Sequence, residues 1–249
     1  MMGWIGYMFG VVSALLIGVS KTAVPGVSIL GILLMTEAFP NNAKLGVGAV
    51  LPVLLVGDVM AVLRYRRYGQ WDRLVRLLPF VAIGMVPGLL VLSSAEKNEL
   101  RPWIGEVVLM LLLIELGRRA FYSERVPRHW WVAAVAGIAA GFSTMIAHAA
   151  FPVMTVYLMS QDLSKEKFLG TAAWFFLILN VTKLPFYAGL GMITAETLRF
   201  DMWIIPALFG GALAGYALLK WINKRLFDGL ALTFAGATAL YLILSSRVG

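Results

Sequence analysis

Long apolar runs recur along the whole of this chain, separated by short charged connectors. They cover residues 4–18, 45–63, 77–92, 104–116, 131–141, 169–181, 203–219 and 230–244, with two shorter runs at 27–39 and 152–159. With 60% hydrophobic and 14% charged residues, the chain lacks the polar surface that a soluble protein of 249 residues needs. Lipid offers no partner to an unpaired backbone N–H or C=O, so each run is expected to be helical. The sequence therefore predicts an all-α integral membrane protein with about 8–10 helical membrane segments, since roughly 20 apolar residues span a bilayer.

The charge distribution and the absence of cysteine exclude several other classes of protein. The formal net charge is +8, but the arginines concentrate in the connectors, where cytoplasmic anchors of membrane helices lie, so nucleic-acid binding is not expected. Without cysteine there is no disulfide and no thiolate metal site, and neither a metal nor another cofactor is expected. No basic residue precedes Lys21, so the first run is interpreted as a retained helix rather than a signal peptide. We expect a multi-pass protein of the inner (cytoplasmic) membrane.

The two halves of the chain resemble each other. Three positions recur at a constant interval of 127 residues, Pro79, Gly84 and Gly88 matching Pro206, Gly211 and Gly215. Two pairs spaced by seven residues also match, Asp58 with Tyr65 and Asn180 with Tyr187. These matches predict a duplication, with a first membrane repeat at 1–125 and a second at 126–249 that form one intertwined transport domain. The glycines spaced by four, including Gly137 and Gly141, predict close packing of helix backbones.

The connectors indicate that the second repeat is inverted. Residues 64–76 carry five arginines against one acidic residue, whereas the matching connector 188–202 carries one arginine against two acidic residues. The next matched pair shows the opposite difference, because 220–228 is more basic than 93–102. Cytoplasmic connectors carry the excess of Lys and Arg. The alternation in opposite phase therefore predicts two inverted repeats, each with five apolar segments of which one is short.

Each half also contains a stretch rich in Gly, Ser, Thr and Pro before its short apolar run, at 18–26 and at 141–152. Proline removes a backbone donor and glycine permits unusual dihedral angles, so both stretches are expected to be non-helical. Paired interruptions of this kind mark the substrate site of many transporters with inverted repeats. The short helices that follow would present free N–H groups and a positive dipole end, which attract an anion. We expect interrupted or re-entrant helices at the interface of the repeats.

Two lysines are candidates for binding substrate. Lys21 lies in the first interruption, and Lys183 lies near the end of a long apolar run that Pro185 soon ends. A lysine at membrane depth costs at least about 2.5 kcal/mol on insertion scales, so it calls for a compensating role. The alternative is an interfacial lysine whose ammonium group reaches water. Uncharged donors and a histidine complete the candidate substrate site, with helix-to-helix hydrogen bonding as their alternative role: Ser20, Thr22, Ser143, Thr144, His148, Thr171 and Asn180.

Asp58 and His148 are candidates for carrying protons. Asp58 lies inside an apolar run, where a carboxylate either takes part in transport or forms a structural ion pair. His148 lies in the second interruption and is one of two histidines; it could titrate near neutral pH or serve only as a hydrogen-bonding group. Neither residue belongs to a motif for metal binding or catalysis. No signature of an enzyme is present, so the protein is predicted not to be an enzyme.

The order of these motifs resembles the sulfite exporter family known as TauE/SafE, over nearly the whole chain. The stretches that carry the resemblance are 18–26, 51–58, 65–67 and 170–176, together with Asn180 and Lys183. The resemblance implies a secondary carrier that moves small sulfur-containing or carboxylated anions, such as sulfite and sulfoacetate, usually outward. It also implies coupling to a proton gradient, no nucleotide, and substrate binding by Ser20, Lys21, Thr22, Asn180 and Lys183. Members of the family usually have asparagine and glycine where this chain has His148 and Phe151, so we expect a difference in substrate.

The sequence thus predicts a secondary transporter that exports a small anion, with the lipid bilayer and the anion as its partners. Two alternatives remain: a passive anion channel with the same pocket, and a non-transporting membrane subunit that positions a partner enzyme. The paired helix interruptions argue against the second alternative, because a scaffold does not need them. Carrier and channel are not distinguished by the sequence, and assembly into a homo-oligomer is left open.

Overall fold

The computed structural model describes residues 4–24, 26–39, 43–94, 130–148, 150–159 and 161–245. Within these ranges the chain forms helices and no strand. The helices are α1 (Trp4–Thr22), α2 (Ser28–Glu37), α3 (Ala43–Tyr65) with a 3₁₀ turn at Arg66–Tyr68, α4 (Trp71–Ser94), α5 (Trp130–Ala147), α6 (Ala150–Met159), α7 (Lys165–Gly189), α8 (Ala195–Leu219) and α9 (Lys224–Ser245). The predicted run at 104–116 lies outside the described residues, as does most of the connector 93–102. The prediction of an all-α protein is confirmed for the described part.

Five of these helices, α1, α3, α4, α7 and α8, are long and apolar enough to cross a membrane. Their outward faces are apolar too: on α8, Met202 and Leu213 are exposed, whereas Ile204 and Leu208 are buried. Large exposed apolar faces suit lipid rather than water. α2 and α6 have 10 residues each, about half of the roughly 20 that a helix needs to cross a bilayer, in agreement with the two shorter apolar runs of the sequence.

Prolines inside the long helices do not end them. Pro52 lies in α3, Pro79 and Pro87 in α4, and Pro206 in α8. α7 continues one turn beyond Pro185 and ends at Gly189. In membrane helices the carbonyl groups that proline leaves unbonded can be satisfied by neighbouring helices and side chains, which makes such prolines tolerable.

The chain divides into two compact units, and each combines segments from both halves of the sequence. Unit 1 comprises Met1–Gly69 and Leu169–Asn223, and unit 2 comprises Gln70–Phe168 and Lys224–Gly249. The units therefore do not coincide with the predicted repeats 1–125 and 126–249, whose boundaries stay a prediction.

In unit 1, α1 packs closely against α8 through glycines. A Cβ atom added at Gly211 would collide with the carbonyl oxygen of Leu15, and one added at Gly18 would collide with the carbonyl oxygen of Leu208. A Cβ atom at Gly215 would collide with the side chain of Thr22. Only glycine allows the two backbones to approach this closely.

In unit 2, α4 packs against α5 in the same manner. A Cβ atom at Gly84 would collide with the carbonyl oxygen of Ile138, and one at Gly141 would collide with that of Val81. Gly88 and Gly137 also face backbone atoms of the partner helix, Phe142 O at 2.9 Å and Leu77 O at 2.9 Å from the added Cβ. The prediction that glycines spaced by four mark close helix packing is confirmed.

The prediction that 18–26 and 141–152 are non-helical is wrong for most of each stretch. α1 continues to Thr22 and α5 continues to Ala147, so among the described residues the first interruption comprises 23, 24, 26 and 27 and the second comprises 148. The reason is that Gly18 and Gly141 serve close helix packing rather than a break. Pro152 is the third residue of α6, in the first turn, where a missing N–H leaves no hydrogen bond unmade.

In the second interruption, one described residue has backbone dihedral angles in the left-handed region. His148 has φ 52°, and Gly26 in the first interruption has φ 98°. Histidine is among the residues, with Asn and Asp, that are enriched in this region relative to other non-glycine residues. Phe151 is the second residue of α6 and is buried.

Candidate functional site

Four charged and polar side chains meet inside unit 1, and we call them the buried charge cluster: Lys21, Asp58, Asn180 and Lys183. Lys21 Nζ donates a hydrogen bond to Asp58 Oδ1 at 2.5 Å. Asn180 Nδ2 donates to Asp58 Oδ2 at 2.7 Å. Asp58 is fully buried, so both of its carboxylate oxygens are hydrogen-bonded away from solvent. Three helices meet here, because Lys21 lies in the last turn of α1, Asp58 lies in α3 and Asn180 lies in α7.

Lys183 belongs to the cluster by its position on α7 and by its charge. It follows Asn180 by three residues, and residues three apart lie on the same face of a helix. Lys183 is fully buried and close enough to Asp58 and Lys21 to interact with their charges. Its Nζ lies 5.6 Å from the centroid of the Tyr187 ring, one turn further along the helix. An ammonium group over an aromatic face is attracted by the negative potential of the ring.

Lys21 is the most accessible member of the cluster, with 12% of its side chain exposed. Its Nζ lies 4.8 Å from the centroid of the Phe176 ring. Its aliphatic stem passes Gly57, where an added Cβ would lie 3.1 Å from Lys21 Cγ. Gly57 thus makes room for the lysine one residue before the aspartate that binds it.

The end of α1 is fixed by hydrogen bonds around Thr22. Thr22 Oγ1 donates to the carbonyl oxygen of Gly18 at 2.9 Å and lies 3.2 Å from that of Ala212. The Tyr65 hydroxyl donates to the carbonyl oxygen of Thr22 at 3.0 Å. The last carbonyl groups of a helix have no partner within the helix, so this bond satisfies one of them. The backbone that carries Lys21 is therefore held from both α3 and α8.

Of the residues predicted from the sequence, the structure brings the four members of the buried charge cluster together. The other predicted residues lie elsewhere in the two units. In unit 1, Ser20 and Thr171 are buried on α1 and α7. Ser143, Thr144 and His148 belong to unit 2, where all three are buried. The Ser143 hydroxyl donates to the carbonyl oxygen of Ala140 at 3.2 Å. Substrate binding by these residues stays a prediction.

Sequence reasoning did not assign roles to Phe176, Gly57 and Tyr65. Phe176 precedes Asn180 by four residues, which is the helical spacing that places both on one face of α7. That spacing was a usable signal for Phe176. Tyr65 matches Tyr187 in the other half and belongs to the stretch 65–67 that carries the family resemblance, but nothing in the sequence indicates that its hydroxyl reaches the end of α1.

The arrangement suits the binding of an anion. Two lysine amines, one carboxyl group and one amide lie within helices of apolar sequence. A lysine ammonium carries three donors, of which Lys21 uses one for Asp58, so further N–H groups can meet an anion from its exposed side.

These observations define a helical membrane protein with a buried cluster of two lysines, an aspartate and an asparagine. The family model of the sulfite exporter TauE/SafE matches residues 3–242. The chain therefore belongs to the TauE/SafE family, which is a family of membrane transporters. No curated protein and no solved structure gives a significant match.

Proposed function

We propose that this protein is a multi-pass secondary transporter of the inner (cytoplasmic) membrane that exports a small anion, such as sulfite or an organosulfonate. The observation that carries the proposal is the buried charge cluster, in which two lysines share one aspartate inside α1, α3 and α7. Ammonium groups attract anions, and the attraction between charges is stronger in a site of low dielectric than in water. A transported anion would bind beside the lysines and leave when the site opens to the other side of the membrane.

Each member of the cluster has a distinct role in this proposal. Lys21, the most accessible, makes the first contact with the anion. Lys183 supplies positive charge in the buried part of the site. Asn180 holds the second oxygen of Asp58, so the carboxylate stays turned away from the anion. Hydroxyl groups of Ser20 and Thr22 on α1 would add hydrogen bonds.

The packing of α1, α4, α5 and α8 supports a duplication with inverted repeats. In unit 1 the contact of Gly211 with Leu15 has its equivalent in unit 2 as Gly84 with Ile138. In both units the first long helix of one repeat packs against the fourth segment of the other. Asp58 and Asn180, which match in the two halves, contact each other directly.

Inverted repeats give a transporter two related conformations, in which the site faces opposite sides of the membrane. We infer that movement of one repeat against the other releases the anion, with the proton gradient as the driving force and with Asp58 and His148 as the groups that couple proton movement to transport. A passive channel with the same cluster would give flux that does not saturate and that a pH gradient cannot drive uphill.

Anion flux in reconstituted vesicles tests the proposal. Lys21→Met and Lys183→Met each remove one positive charge and keep an unbranched side chain, and Lys183→Met leaves the Lys21–Asp58 pair intact. We expect both variants to lose saturable sulfite and sulfonate flux, while Lys220→Met, at an exposed lysine after α8, keeps it. Full flux in a folded Lys21→Met protein would contradict the site assignment.

A further inference from the structure

Asp201 is a buried carboxyl group of unit 1 that the proposed function does not use. The sequence assigns it to the connector 188–202, whereas the structure places it in α8, about 9 Å from the start of that helix at the usual rise per residue. Only 2% of Asp201 is exposed, and neither carboxyl oxygen has a hydrogen-bond partner in the part of the chain that the structure describes. An ionisable residue inside a helix that can cross the membrane is a candidate functional group.

The side chains around Asp201 offer it no partner. Thr197, Ile204 and Leu208 are buried on the same face of α8. The Thr197 hydroxyl belongs to the cap of the helix, because it accepts from Thr194 N at 2.9 Å and donates to Thr194 O at 3.0 Å. Ile204 and Leu208 lie in the apolar core that α8 forms with α1, α2 and α3. The carboxyl group therefore adjoins apolar side chains and a hydroxyl that is already used.

Charged groups do not compensate Asp201 either. The other titratable and charged side chains that the structure describes on α1, α2, α3 and α8 are Tyr7, Lys21, Glu37, Asp58, Arg64, Tyr65, Glu196, Arg199 and Tyr216. None of them forms a hydrogen bond or an ion pair with Asp201, and no charge among the described residues acts on its carboxyl group.

An ionised Asp201 would thus be a buried charge without a compensating group. The free-energy cost of burying an unpaired ion is so large that a carboxyl group in such a place stays neutral instead. The neutral form keeps an O–H bond, whereas a carboxyl group in water at neutral pH has lost its proton. The site can therefore hold one proton out of water.

The helix that carries Asp201 also borders the buried charge cluster. Leu208 follows Asp201 by about two turns on the same face, and its Cδ1 would lie 3.7 Å from a Cβ atom on Gly57, the residue before Asp58. α8 also packs closely against α1, which carries Lys21. Because a helix moves as a rigid element, a displacement of α8 against α1 and α3 would change the surroundings of Asp201 and of the cluster together.

We propose that Asp201 is a proton-binding site of the transport cycle. It holds a proton in this conformation. When α8 moves and water reaches the carboxyl group, the O–H bond breaks and the proton passes to water, leaving a hydrated carboxylate. This proposal rests on the proposed function and adds one proton per turnover to whatever Asp58 and His148 carry.

Infrared spectroscopy of the purified protein tests whether Asp201 holds a proton. A protonated carboxyl group absorbs at a C=O frequency that carboxylates and amides lack. Asp201→Asn keeps the shape of the side chain and cannot ionise, and Glu196→Gln removes an exposed acidic group of the same helix as a matched control. At neutral pH we expect the original protein and Glu196→Gln to show a protonated-carboxyl signal that Asp201→Asn lacks. Equal signals in the original protein and Asp201→Asn would overturn the proposal.

Methanesulfonate flux in reconstituted vesicles tests whether that proton takes part in transport. Methanesulfonate does not bind a proton near neutral pH, so an effect of pH on its flux comes from the protein. With the membrane potential held at zero and a gradient of one pH unit, each coupled proton multiplies the attainable accumulation by about ten. We expect Asp201→Asn to lower that accumulation about tenfold and to keep flux down a methanesulfonate gradient, while Glu196→Gln behaves like the original protein.

The outcomes distinguish this proposal from the proposed function. Undiminished accumulation in Asp201→Asn would refute coupling by Asp201 and leave anion transport in place. Loss of downhill flux in a folded Asp201→Asn protein would also refute it, because a missing proton site does not prevent movement down a gradient. If the original protein moves neither methanesulfonate nor sulfite, the proposed function and the coupling both fail, and the infrared signal still decides whether Asp201 holds a proton. Should Asp201→Asn not fold, Asp201→Leu replaces it in both assays, because the carboxyl group has no hydrogen bond to lose among the described residues.

Discussion

Two adjacent glycines of α8 differ in what surrounds them, and their replacement by alanine gives a quantitative test of helix packing in unit 1. A Cβ atom at Gly211 would collide with the carbonyl oxygen and carbonyl carbon of Leu15 on α1. A Cβ atom at Gly210 would meet only Leu15 Cδ2 at 3.7 Å, which is an ordinary contact with the end of a flexible side chain. The two substitutions are otherwise identical.

The expected difference in unfolding free energy follows from comparing the two positions. Alanine is favoured over glycine within a helix by about 1 kcal/mol, and this gain applies to both positions. Overpacking at Gly211 adds a cost of about 1–3 kcal/mol, because the backbone of α1 must move. Gly210→Ala is therefore expected to be neutral or stabilising. The difference in unfolding free energy between the variants should equal the overpacking cost.

Thermal unfolding of the purified variants in detergent measures this difference. At about 2–4 °C per kcal/mol for a chain of this size, Gly211→Ala should unfold roughly 2–12 °C below Gly210→Ala. Equal unfolding temperatures, or a lower temperature for Gly210→Ala, would refute the close contact between α1 and α8. Gly84→Ala, which would collide with Ile138 in unit 2, should show a loss similar to that of Gly211→Ala.

Three further predictions concern single side chains. Tyr65→Phe removes the hydrogen bond to the Thr22 carbonyl and keeps the ring, so it should lower the unfolding free energy by about 1–2 kcal/mol; an unchanged denaturation midpoint would contradict it. Asp201 is buried, and neither carboxyl oxygen has a hydrogen-bond partner in the part of the chain that the structure describes, so Asp201→Asn should raise the unfolding temperature at high pH, where the carboxyl group of the original protein must ionise. A lower unfolding temperature for Asp201→Asn than for the original protein would contradict this prediction. His148→Val places a β-branched residue at φ 52° and should lower the free energy of unfolding by about 1–3 kcal/mol, whereas His148→Asn should lower it little. Comparing the stability of the two variants checks the backbone conformation.

The helical membrane class was predictable from the sequence because it follows from local composition. The apolar runs and the glycines spaced by four depend only on residues within one helix, and both predictions agree with the structure. The interruptions were placed less accurately. Gly18 looks like a helix breaker in the sequence, but its surroundings on α8 make it a contact residue, and a distant helix cannot be read from a local pattern.

The candidate site was predictable in its membership more than in its arrangement. Lys21, Asp58, Asn180 and Lys183 were each singled out, because polar residues within apolar runs are conspicuous. An ion pair of Asp58 was one of the alternatives that the sequence left open, but its partners were not identified, since Asn180 reaches Asp58 across 122 positions of sequence. The sequence left open whether Lys183 reaches the membrane surface, and the structure shows it fully buried, which depends on the packing of α7 in unit 1.

The pairing of α1 with α8 has a consequence for the order in which the protein is made. The two helices are separated by more than half of the chain, and unit 1 is complete only when Leu169–Asn223 has joined Met1–Gly69. At about 5–20 residues per second, synthesis of the intervening segment lasts on the order of ten seconds or more. Throughout that interval the face of α1 that carries Leu15 and Gly18 lacks α8, the helix against which it packs in unit 1. The nascent chain must therefore keep α1 available, in lipid or beside the insertion machinery, until its partner emerges.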